Sequence, residues 1–156
     1  MHSVRRSSVA MWTSAILLAG CAEAARAQFT ILTVSGSPAP FTVASAVAGS
    51  QPAALSDNIT TYFVKAKKPA GAQRIAAQLN APMPPGTTIT LQMAPSFGAS
   101  SLGPVALDMT ARDIVVNIDK DNGSTLGITY VFTATVAAGV VPSQSRTVTL
   151  TMSNYP

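Results

Sequence analysis

Apolar and polar residues alternate with period two over several stretches of this 156-residue chain. Across 128–136, Ile128, Tyr130, Phe132, Ala134 and Val136 fall on one face. Thr129, Thr133 and Thr135 fall on the other, with Val131 among them. The stretch 147–152 repeats the pattern, placing Val148, Leu150 and Met152 inward and its threonines outward. By the same rule, 87–93 sets Ile89, Leu91 and Met93 on one side. Successive side chains of an extended strand point to opposite faces, so this pattern predicts one-sided burial in antiparallel sheets. Further strands are expected over 29–34, 41–47, 59–67, 73–80, 104–109 and 113–118.

The breaks between these runs carry turn chemistry. Lys68-Pro69-Ala70-Gly71 and Asp121-Asn122-Gly123 are expected to close hairpins, and Pro82 to Gly86 reads as a stiff connection. Short strands spaced about ten residues apart predict an all-β fold. The expectation is an antiparallel, immunoglobulin-like sandwich of about seven to nine strands, with a jelly-roll-like sandwich as the alternative. Composition agrees. From Gln28 onward there are 16 Thr, 12 Val and 7 Ile, no Glu and only four Lys, so the residues that fill exposed helices are scarce.

The first 27 residues follow a different pattern. Arg5 and Arg6 precede an apolar run from Val9 to Gly20, which is too short to span a bilayer, and small residues follow it. This is the three-part layout of an export signal. Two processing sites compete. Ala25-Arg26-Ala27 before Gln28 fits ordinary signal peptidase, giving a signal at 1–27 and a single domain at 28–156. Leu18-Ala19-Gly20-Cys21 resembles a bacterial lipobox, giving a signal at 1–20, a lipidated Cys21 and a tether at 21–28. Contact with a membrane is expected only through such an N-terminal lipid. The protein is therefore expected in the periplasm, on the outer membrane or at the cell surface, or else secreted in soluble form.

Removing the leader also removes most of the chemistry. His2, Trp12 and Cys21 are each the only residue of their kind, and all precede Gln28. The remaining domain has no His base, no thiolate, no His/Cys zinc set and no internal disulfide. Its net charge is +2, from seven basic residues and five aspartates, so a nucleic-acid partner is not expected. No cofactor and no catalytic residue are expected.

The remaining candidates are few. Lys65 and Lys67 share a strand face, and with Lys68 and Arg74 they form a candidate basic patch for an acidic polysaccharide, lipid headgroups or a partner protein. Tyr62 and Phe63 are consecutive, so one ring must face outward as a stacking platform; Tyr62 joins the candidate patch on that ground. Asp119 and Asp121 are a weak calcium candidate. An EF-hand would need Asp or Asn followed by Gly where Gly123 and Ser124 stand, and a Glu at Tyr130, so a solvated turn is the plainer reading. Asp108 and Asp113 are near enough in sequence to form a carboxylate pair across a turn.

The stretch from Ile128 to Met152 resembles the closing strand pair of small exported bacterial β-sandwich proteins, including spore-coat-U-like and fimbrial-type subunits. Tyr155 and the alternating final strand are similar to pilins assembled by strand exchange. The domain departs from them in lacking a disulfide and in carrying Ser143 where the C-terminal pilin motif has glycine. The resemblance implies a non-enzymatic envelope or surface module, structural, adhesive or protein-binding, with a polysaccharide-binding module as the alternative. Its partner would be an envelope protein or a surface polysaccharide.

Overall fold

A computed structural model describes residues 30–44, 47, 49–66 and 71–156. The leader, with Cys21, Ala27 and Gln28, lies outside the described residues, and so do Lys67 and Lys68.

Ten strand segments form two antiparallel sheets: β1 (Thr30–Ser35), β2 (Leu55–Asp57), β3 (Thr61–Ala66), β4 (Gln73–Leu79), β5 (Thr87–Met93), β6 (Ser100–Ser101), β7 (Val105–Ala106), β8 (Arg112–Ile118), β9 (Asp121–Ala134) and β10 (Val148–Asn154). The first sheet runs β1-β3-β9-β5-β7, with β2 beside the second half of β9. The second runs β10-β4-β8-β6. The two pack as the expected all-β sandwich, with period-two side chains meeting between the layers. Tyr62, Val64 and Ala66 point inward from β3, while Thr61, Phe63 and Lys65 point out. Ile75, Leu79, Leu91, Met93, Ile114, Val115, Ile118, Ile128 and Tyr130 complete the centre of the core.

After β3, every strand lies in the opposite sheet from the one before it. This corrects both expected hairpins. β3 ends at Ala66 in the first sheet, and β4, which begins at Gln73, lies in the second. Asp121 to Gly123 open β9, where Asp121 pairs with Ala66 rather than with β8. Turn chemistry predicts a reversal of direction but does not say which sheet receives the next strand. Two expected strands also shrink. The 41–47 run forms no strand among its described residues, and Phe41 stacks on Phe132 instead. The 104–109 run pairs only at Val105–Ala106. Val136 leaves β9 for a single 3₁₀ turn at Val136–Ala138 and is 61% exposed.

Both ends of the domain meet at one end of the sandwich. Gln73 Nε2 donates to Thr30 Oγ1 at 3.4 Å, and Tyr155 N donates to Ala72 O at 2.7 Å. β1 is an edge of the first sheet and β10 an edge of the second, and they flank the same side of the molecule.

Candidate functional site in the open seam

An edge strand presents a row of unpaired N–H and C=O groups. Among the described residues β1 is bonded only to β3, and β10 only to β4, so within that set each has one free edge. The apolar rows beside these edges are incompletely covered. Leu91 and Met93 of β5 are fully buried, whereas Val148, Leu150 and Met152 of β10 and Leu32 of β1 are only half-buried against the core. The alternation is therefore correct on β10, but one flank of its inward row lacks a neighbour.

Towards the end of the sandwich opposite Thr30, the seam widens into a groove of two adjoining lobes, about 710 and 870 Å³. Its walls are the unpaired stretch after β1, through Pro38, Pro40 and Phe41, and the residues leading into β10, Ser143 to Thr147. Its floor is apolar: Leu79, Met83, Ile89, Tyr130 and Phe132. The Phe41 ring stacks on Phe132 with centroids 5.9 Å apart. Thr60 lines one lobe with its Oγ1 buried and without a hydrogen-bond partner. The rim is mixed, with Val136 61% and Val140 99% exposed beside Thr135, Ser143 and Gln144.

Backbone contacts fix the shape of the rim. Gly86 O accepts from Thr135 N at 2.8 Å and from Thr135 Oγ1 at 3.2 Å. Val136 N donates to Gln51 Oε1 at 2.8 Å. On the opposite wall the Arg146 guanidinium donates to Pro82 O and Ser145 O, both at 2.9 Å, and to Gln144 Oε1 at 2.6 Å.

The residues singled out in the sequence lie elsewhere and apart from one another. Tyr62 is buried at 1% exposure, so it cannot be a stacking platform; its hydroxyl donates to Ala94 O inside the core. Phe63 faces outward, and its ring packs over Gly123, where an added Cβ would come within 3.0 Å of it. Lys65 is on the outer face of the first sheet. Arg74 is on the second, bonded to Asp113 at 3.2 Å and Ser153 Oγ at 3.1 Å. The sandwich thus separates two members of the expected basic patch. Asp121 is buried, and its Oδ1 accepts from Gly123 N at 2.7 Å and Ser124 Oγ at 3.0 Å, which explains its position as the brace of a local turn. Among the described residues, no group of three potential metal ligands converges. Asp108 and Asp113 do not form a carboxylate pair, since Asp108 is bound to Arg112 and Asp113 to Arg74. The Arg112 hydrogen bond, aided by the Thr110 N–H, holds the Asp108 carboxyl below its ordinary range.

Burial, reinforced by the nearby Asp121 carboxylate, pushes the Tyr62 phenol up to about 12 from an ordinary 10.0. Tyr130 moves in the same direction, through burial and then Asp57. A phenol that keeps its proton more tightly when folded stabilises the fold fully below the unfolded value and loses that contribution as pH rises through the folded one. For Tyr62 the window is 10 to about 12, and the loss across it is about 2 to 3 kcal/mol. Urea unfolding at pH 8 and pH 11 is expected to show about half of this decline, since pH 11 is midway through the window, and Tyr62→Phe should reduce it.

Sequence reasoning did not find the seam. Its signal in the sequence is the proline pair at 38 and 40, which stops β1 from extending. No family model matches the sequence, and no curated protein matches it. Among solved structures, the chain is similar to a chain in a chaperone-usher pilus, at 13% identity over 99% of both chains and a TM-score of 0.41.

Proposed function

We propose that the protein is a non-enzymatic, exported module of the bacterial cell envelope that binds an extended segment of a partner protein in the seam between β1 and β10. The observation that carries this reading is the unpaired β10 edge beside a half-covered apolar row. An added strand can satisfy both deficits together, because its backbone bonds to the edge while alternate side chains enter the groove. A compact ligand in either lobe would leave the β10 edge unpaired. The basic-patch reading for a polysaccharide draws no support from Lys65 and Arg74, which occupy different sheets.

A photo-crosslinking residue placed at Leu150 or Met152, with Thr88 on the outer face of β5 as the control, tests this in the native envelope. A discrete adduct is expected from the seam positions and none from the control. Adducts of equal yield at all three positions, or none at the seam, would contradict it.

A further inference from the structure

Arg146 is the only charged side chain among the described residues lining either lobe of the groove, and it lines both. Its position follows from register. Asn80 N donates to Thr147 O at 3.1 Å, carrying the β4 ladder one step beyond β10, and the half-buried row Val148, Leu150, Met152 continues backward to half-buried Arg146. The side chain therefore belongs to the inward face of the seam.

The guanidinium is held but its charge is not neutralised. Its three hydrogen bonds go to two carbonyls and one amide oxygen, all neutral, whereas the group has five N–H donors. The other two described arginines are each bound to an aspartate, Arg74 to Asp113 and Arg112 to Asp108. Arg146 has no carboxylate within ion-pair distance among the described residues. Three neutral contacts fix its orientation in advance, which reduces the ordering needed when an anion arrives.

We infer that the segment bound in the seam carries a carboxylate side chain that meets Arg146, in a row whose other groove-facing residues are apolar. This rests on the seam being a strand-binding site, and it adds the chemistry that would set the partner's register and identity. A single charge beside an otherwise apolar row discriminates between registers, since a shift of two residues towards Val148 would set the carboxylate beside an apolar side chain and leave Arg146 unpaired.

The test uses the purified protein and two fluorescent ten-residue peptides of alternating Val and Thr, in which one central Val is replaced by Glu or by Lys. The Glu peptide is expected to bind about tenfold more tightly than the Lys peptide at low salt. Arg146→Gln should abolish the difference, and Arg146→Glu should invert it, an outcome that mere loosening of the loop would not produce. Equal binding of both peptides, unchanged by Arg146→Gln, would overturn the inference while leaving the strand-binding seam intact. Binding of neither peptide would overturn the seam reading itself. Binding of palmitate, with displacement by neither peptide, would overturn both in favour of a lipid carboxylate.

Discussion

Replacing Leu91 by alanine is expected to lower the unfolding free energy by about 3 to 4 kcal/mol. Leu91 is fully buried at the middle of β5, paired with Tyr130 of β9 on one side and Val105 of β7 on the other. Three deleted carbons remove their transfer contribution. The hydrogen-bonded strands on both flanks then prevent the layers from collapsing into the space, so the cavity contribution remains. Half-buried Leu150 should behave differently. The same change there is expected to remain near 1 kcal/mol, because part of that side chain is already in water. Denaturant unfolding of the two variants compares the closed and open sides of one core, and equal losses would mean that the seam is closed.

Gly86→Ala is expected to destabilise the protein by about 2 to 4 kcal/mol, from the sum of backbone strain and overpacking. Gly86 has φ +75°, a region that L side chains rarely adopt. An added Cβ would sit 2.8 Å from Ala138 N and 2.9 Å from both Ala138 Cα and Thr135 Oγ1. Two of these are backbone atoms of the turn that also holds Thr135 against Gly86 O, so they cannot move aside without releasing the groove rim. The variant should therefore lose stability and also bind the seam peptides more weakly. The glycines at 98 and 103 also have positive φ, but no atom would crowd their Cβ, so alanine there should cost only the backbone strain. Thermal unfolding of the three variants checks this order.

The sequence made the faces of the strands legible and left their partners hidden. The 87–93 stretch coincides with β5, and the inward rows of β10 and of β9 as far as Ala134 agree with the period-two reading, a local property, whereas Val136 leaves the row for a 3₁₀ turn. Even the burial of Tyr62 was within reach. Lys65 must face solvent, Phe63 shares its face two residues earlier, and Tyr62 therefore points inward. Placing Tyr62 in the candidate patch ignores that parity. Assignment of strands to sheets is a tertiary property. Lys68 to Gly71 looks like a hairpin turn, and nothing in those four residues says that β4 belongs to the other layer. The seam was hidden for a related reason. Val148, Leu150 and Met152 read as core residues by composition, and they are half-exposed because no strand among the described residues lies beside β10. The inward register and neutral contacts of Arg146 are likewise tertiary properties.

The claim at the centre of this account is that the outer edge of β10 is free and takes up a strand. Amide hydrogen exchange across Val148–Asn154 tests it most directly. In an antiparallel strand paired on one side, alternate N–H groups point to the partner and to the open side. In the protein alone, every second amide of β10 is expected to be protected through β4, and those between to exchange at rates close to those of an open chain. Saturation with the Glu-containing peptide should then slow the second set and leave the first unchanged. Uniform protection of β10 in the protein alone, or peptide binding that leaves the fast amides fast, would contradict the account.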